Sequence, residues 1–158
     1  MIAIAPALPD SPDALRLLNA LDDELRRRYP GWRVHGIRPE DVAHPRFIFL
    51  VARANGRAIG CGAIRTLDSD TAEVKRMFVV DEWRRRGVAR QLLEALEAQA
   101  RERGFAQLRL ETGALQPEAI ALYRSAGYAD TIPYGEYVGN PVSVYLEKQL
   151  TSSSVDKT

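Results

Sequence analysis

Apolar residues recur along the chain with two periods, and the change from one period to the other predicts its elements. Ala14, Leu18, Leu21 and Leu25, with Leu17 beside them, repeat at helical spacing. Ser11-Pro12-Asp13 supplies a capping hydroxyl, a proline at the first helical position and an acid in the first turn. This helix therefore begins there and runs to about Tyr29, where Pro30-Gly31 stops it. Val88, Leu92, Leu96 and Ala100, with Leu93, form the buried stripe of a long helix from about Gly87 to Arg103. Arg90, Glu94, Glu97 and Arg101 form its wet face, with Glu97 and Arg101 at a favourable i,i+4 spacing. Pro117 opens a third helix that places Ala119, Leu122, Tyr123 and Ala126 on one face and stops at Gly127; a short helix is expected near Arg38–Val42.

The intervening runs read as strands. Phe47 to Ala54 and Arg57 to Leu67 flank Asn55-Gly56, a strong two-residue hairpin signal. Ala72 to Val80 continues the meander after Asp68-Ser69-Asp70. Gln107–Thr112, Tyr128–Pro133 and Pro141–Leu150 are further strands, and one more before the first helix stays open. Hairpins give antiparallel pairs, and the strand-helix-strand units imply at least one parallel pair. The predicted fold is α/β, a mixed, mostly antiparallel central sheet of six to seven strands flanked by helices. In the third strand Ala72 and Val74 alternate with Glu73 and Lys75, Arg76 then falls on the apolar side, and every residue from Met77 is apolar. A β-bulge near Lys75–Met77 accounts for the slip in phase.

Composition changes this picture little. The chain has 158 residues, enough for one domain with a core, and a net charge of +1, which favours neither nucleic acid nor an anionic membrane as partner. Residues 1–150 read as one domain and the polar tail 151–158 as a disordered end. One cysteine, Cys61, excludes an internal disulfide or a cysteine-based metal site and fits a cytoplasmic location; no apolar run reaches the length of a membrane span. His35 and His44 lack a ligand pattern.

Charge is informative locally. Arg84, Arg85, Arg86 and Arg90 crowd the start of the long helix, where unpaired N–H groups and the macrodipole already disfavour cations. An anion held in the turn resolves the conflict, and Gly87 and Ala89 let the backbone approach it.

Arg84-x-x-Gly87-x-Ala89, between an apolar strand and a long helix, resembles the acyl-CoA pyrophosphate loop of the GNAT superfamily of N-acetyltransferases. Ala72-Glu-Val-Lys-Arg-Met-Phe-Val79, Leu108-Arg-Leu-Glu-Thr112 and Ala119-Ile-Ala-Leu-Tyr-Arg-Ser-Ala-Gly-Tyr128 are similar to the family's flanking segments, in family order, over about residues 3–150. Gln116-Pro117 departs from the asparagine that opens the last helix in many members. The resemblance implies a sheet splayed at the cofactor-binding strands and transfer of acetyl from acetyl-CoA to a primary amine by direct attack in a ternary complex, without a metal.

On this resemblance the backbone from Arg85 through Arg86, Gly87, Val88 and Ala89 to Arg90, with Arg84, holds the pyrophosphate, and Phe78, Val79 and Val80 pair with the pantetheine arm. An N–H there, assigned to Phe78 with Val79 as the alternative, faces the thioester oxygen. Glu111, Ala119 and Tyr123 complete the implied cofactor contacts. Glu73 is the implied general base, with Glu111 or water as alternatives, and Tyr123 the implied acid at the departing sulfur. Placement alone makes Trp32, Tyr134 and Tyr137 candidate walls of the acceptor pocket and Glu136 a candidate attractor of a cationic amine. The acceptor would be a small-molecule or peptide amine, and a homodimer stays open. The rival reading is a non-catalytic acetyl-CoA-binding regulatory domain.

Overall fold

The structure is a computed structural model and describes residues 1–31, 36–135 and 138–150. Trp32, Glu136, Tyr137 and the tail 151–158 lie outside the described residues, as does His35. The elements run β1 (Ile2–Pro6), α1 (Pro12–Arg28), α2 (Pro39–Ala43), β2 (Ile48–Ala54), β3 (Arg57–Thr66), β4 (Thr71–Val79), α3 (Val88–Glu102), β5 (Gln107–Gly113), α4 (Pro117–Ser125), β6 (Ala129–Asp130) and β7 (Ser143–Gln149), with a 3-10 turn at Asp81–Trp83 before α3.

The strands form one sheet in the order β1-β2-β3-β4-β5-β7-β6. The meander β1 to β4 is antiparallel, β4 and β5 are parallel, and β7 runs antiparallel between β5 and β6. The parallel pair is short. Its register runs from Thr71 opposite Gln107 to Val74 opposite Leu110, and the strands part beyond it. Every other long pair holds its ladder to the strand end, so the opening falls at one place in the sheet.

Helices cover both faces. On one face α1 packs Ala14, Leu17 and Leu21 against Phe49, Val51, Cys61, Ala63 and Phe78. On the other α3 packs Leu92, Leu93 and Leu96 against Leu50, Ile64, Val74 and Leu110. Burial of each such leucine contributes about 1.5–3 kcal/mol relative to exposure. Glu97 departs from its expected place on the wet face of α3. It is 5% exposed, accepts a hydrogen bond from the Tyr128 hydroxyl at 2.9 Å and pairs with Lys148 Nζ at 3.1 Å. A buried carboxylate needs such partners to offset its desolvation, and they come from strands distant in sequence.

The phase slip in β4 is a bulge. Ala63 pairs with Lys75 and Cys61 with Phe78, so Gly62 opposes both Arg76 and Met77. Arg76 has φ +61°, and its guanidinium reaches Asp22 of α1 at 2.6 Å. Lys75 and Arg76 thus both serve the α1 side, and the strand resumes with its alternation shifted by one residue.

Candidate active site

Where β4 and β5 part, a cleft of about 760 Å³ opens through the sheet. Its walls are the end of β4, the loop into α3, the end of β5, the start of α4 and the last two turns of α1. Arg84, Arg85, Gly87, Val88, Ala89 and Arg90 line one end of it. Phe78, Val79, Glu111, Ala119 and Tyr123 also line it; Val80, Arg86, Glu73 and Tyr134 do not.

The loop end has an unusual backbone. Gly87 is the N-cap of α3 with φ +82°, and Arg85 has φ +64°. Left-handed residues of this kind on either side of Arg86 are the conformation that backbone anion-binding concavities use. Among the described residues no side chain caps α3, and its first turn carries no acid, so its leading N–H groups have no side-chain partner there. The arginines divide their work. Arg86 stacks on Trp83, its guanidinium carbon 4.7 Å from the ring centroid. Arg84 donates from Nε to the Val79 carbonyl at 2.8 Å and pairs with Glu24 at 2.7 Å and Asp81 at 3.1 Å. Arg90 bonds to Ser125 of α4. Arg84 is therefore a staple that ties the loop to β4 and α1.

The antiparallel ladder decides which N–H groups of β4 face the cleft. Phe78 pairs with Cys61, Val79 with Gly60, and the Val80 N–H donates to the Ile59 carbonyl. Hydrogen-bonding alternates along such a ladder, so the Phe78 N–H is spent on Cys61 and the Val79 N–H points away from β3. This corrects the assignment to Phe78, and it also removes the Val80 N–H. The reason is the bulge, which shifts the phase of the strand beyond Arg76.

Glu73 is 1% exposed and committed elsewhere. Its carboxylate pairs with Arg65 at 2.7 Å and accepts a hydrogen bond from the Tyr134 hydroxyl at 3.0 Å. Arg65 also pairs with Asp41 of α2 at 2.9 Å. Burial raises the Asp41 carboxyl, but the Arg38 N–H and the Arg65 guanidinium outweigh it, and its pKa lies below the usual value. Tyr134 packs edge-on against Tyr145 of β7, centroids 5.9 Å apart, so Glu73 fixes an aromatic pair on the sheet.

Glu111 does reach the cleft. It stands opposite Tyr145 on β7 and accepts a hydrogen bond from Ser143 Oγ at 2.6 Å. Tyr123 of α4 is 6% exposed, and its hydroxyl has no hydrogen-bond partner among the described residues. Burial, reinforced by the nearby Glu111 charge, raises its pKa above the usual 10.0. A buried phenol with an unused proton beside a carboxylate suits general acid chemistry.

The sequence reading missed the contribution of α1. Leu21, Glu24, Leu25, Arg28 and Tyr29 line the cleft. Arg28 Nη1 donates to the Leu115 carbonyl at 2.9 Å, and the Tyr29 hydroxyl accepts from the Leu115 N–H at 3.0 Å. Gly113 is required here, because an added Cβ would lie 1.7 Å from that hydroxyl. The available signal was the polar trio Glu24, Arg28 and Tyr29 on the stripe that carries Leu21 and Leu25. Gln116, at the departure from the family pattern, also lines the cleft and accepts from the Gly113 N–H at 3.2 Å. Cys61 is a buried thiol whose pKa burial raises to about 12. No group of three or more potential metal ligands occurs among the described residues, and no helix among them is long and apolar enough to cross a membrane.

Known proteins share this fold. The chain is 41% identical over 151 residues to an IAA acetyltransferase of Azospirillum brasilense, covering 94% of this chain and 98% of that protein. A Klebsiella pneumoniae protein described as an acyl-CoA N-acyltransferase superposes with a TM-score of 0.81 at 34% identity, over 95% of this chain and 98% of that one. A GNAT acetyltransferase of Elizabethkingia anophelis, solved with acetyl-CoA bound, shares the fold with a TM-score of 0.68 at 20% identity, over 94% and 98% of the two chains. Residues 14–128 match the model of the acetyltransferase (GNAT) family, and the chain belongs to that family.

Proposed function

We propose that the protein transfers acetyl from acetyl-CoA to an amine by direct attack in a ternary complex, with Glu111 as general base, the Val79 N–H as oxyanion donor and Tyr123 as general acid. The observation that carries this reading is the parting of β4 and β5 beyond Val74 and Leu110. It opens a channel with the outward N–H of Val79 on one side and Glu111 and Tyr123 on the other.

Acetyl-CoA supplies an activated acyl group and a pyrophosphate, and the residues present fit both. The turned N–H groups from Arg85 to Arg90 suit the pyrophosphate, with Arg85 and Arg90 adding charge. Val79 offers its N–H where a thioester carbonyl oxygen would gain negative charge. An amine attacks only when neutral, and a lysine-like amine has a pKa of about 10.4 in water, so a base must take its proton. Glu111 lines the cleft and can accept that proton directly or through water. As the carbon–nitrogen bond forms and the carbon–sulfur bond breaks, Tyr123 can protonate the departing thiolate. Glu73, the base implied by the resemblance, is assigned instead to holding Tyr134 and Arg65.

The acceptor is proposed to be a small-molecule or peptide amine that reaches Glu111 through the cleft. A cytoplasmic setting is proposed on the single buried thiol of Cys61. A screen of amino acids, polyamines, aminoglycosides and peptide N-termini for acetyl-CoA consumption tests the function. An N-acetylated product with intersecting initial-rate patterns supports direct transfer. A ping-pong pattern excludes it, and absence of any acetylated product across the panel counts against acetyl transfer to these amine classes.

A further inference from the structure

The last turns of α1 touch both sides of the opening in the sheet. Toward β4, Glu24 pairs with Arg84 at 2.7 Å, and the same guanidinium donates to the Val79 carbonyl at 2.8 Å. Toward β5, Arg28 donates to the Leu115 carbonyl at 2.9 Å and the Tyr29 hydroxyl accepts the Leu115 N–H at 3.0 Å. Tyr29 also fills the space over Gly113 where any side chain would stand. Glu24 and Arg28 are joined to each other across one helical turn at 3.5 Å. Beyond Val74 and Leu110 no ladder holds β4 to β5, so these contacts span the gap that the sheet leaves open.

We propose that the C-terminal end of α1 is a strap that sets the width of the cleft, with Glu24 and Tyr29 as positioning residues at its two joints. A helix is stiff over this length, so a shift at one joint is felt at the other. The strap holds the Val79 N–H, reached through Arg84, at a fixed span from Glu111, reached through Gly113 and Leu115 on the same strand and its following loop. Neither Glu24 nor Tyr29 need touch the reacting atoms. A span held within a fraction of an ångström matters because misplacement by about 1 Å costs roughly 10²-fold in rate.

Amide hydrogen exchange on the full chain tests the strap without reference to turnover. The variants are Glu24→Gln and Tyr29→Phe, both close in shape to the parent. The strap requires crossed effects: Tyr29→Phe speeds exchange of residues 79–87, which Tyr29 does not touch, and Glu24→Gln speeds exchange of residues 113–116, each by about threefold or more. Effects confined to each variant's own side overturn it, as does no change in either. A second readout rests on the acetyl-transfer reading. Each variant should lower kcat by about 10-fold with KM for acetyl-CoA nearly unchanged, and the double variant should fall little below the worse single, since one span is lost once. Losses that multiply in the double variant overturn the strap. If the wild type shows no turnover, the functional reading fails while the exchange experiment still decides the strap.

Discussion

The Val79 carbonyl accepts a hydrogen bond from Arg84 Nε at 2.8 Å, so the arginine that heads the loop into α3 is spent on the strand that precedes it. Its remaining nitrogens go to Glu24 and Asp81. Arg84 should therefore matter more for rate than for cofactor affinity. Arg84→Met is expected to lower kcat by about 10-fold while the Kd for acetyl-CoA, from calorimetry, moves by less than about threefold. An equal loss in both would make Arg84 a phosphate ligand.

Glu111 and Glu73 make separable predictions. Glu111→Gln should lower kcat by about 10²-fold or more with acetyl-CoA affinity retained, because only the proton acceptor is lost. Glu73→Gln leaves Arg65 with half of its buried partners and should cost about 2 kcal/mol of stability, read by denaturant unfolding, with a smaller effect on kcat. The reverse ranking of the two kcat values would return the base to Glu73.

Tyr123 sets a pH signature. Its pKa is raised above 10.0, chiefly by burial and then by Glu111, so the acid keeps its proton throughout the neutral and mildly basic range. The kcat profile of the wild type should show no decline up to about pH 10. Tyr123→Phe should lower kcat across the whole profile by about 10²-fold without creating a new limb. A wild-type decline between about pH 8 and 9 that vanishes in Tyr123→Phe would contradict a phenol with a raised pKa.

Asp41 ties α2 to the sheet through Arg65, and its folded pKa lies below 3.8. A depressed carboxyl contributes stability that is complete above its unfolded value and is lost as the pH falls through the folded value. Thermal unfolding followed from about pH 6 to pH 2 should therefore show a shallower acid limb for Asp41→Asn than for the wild type. Identical acid limbs would remove Asp41 from the ledger.

Much of the architecture was legible because it is periodic. The stripe Leu92, Leu96 and Ala100, the Asn55-Gly56 hairpin and the phase slip at Arg76 each carry a local signal, and each appears where expected. What was not legible depends on long-range pairing. β7 enters between β5 and β6, so the second strand-helix-strand unit forms no adjacent parallel pair. Glu97 has the spacing of a wet-face residue but is drawn inward by Tyr128 and Lys148. In the site, the bulge moved the outward N–H from Phe78 to Val79, an effect of ladder phase that composition does not record. Glu73 and Glu111 could not be ranked from sequence, since Arg65, Tyr134 and Ser143 reach them only in the folded sheet.

The central claim, that the loop into α3 holds the phosphate end of acetyl-CoA, is tested most directly by calorimetric titration of the wild type and Gly87→Val with acetyl-CoA. Gly87 has φ +82°, a region that a β-branched residue strains to reach, so the variant should disturb the turned N–H groups while leaving Arg84, Arg85 and Arg90 in place. One molecule should bind per chain with a Kd below about 1 mM, weakened by about 10-fold or more in Gly87→Val. No saturable binding by the wild type up to about 1 mM, or equal affinity in the two proteins, would contradict it.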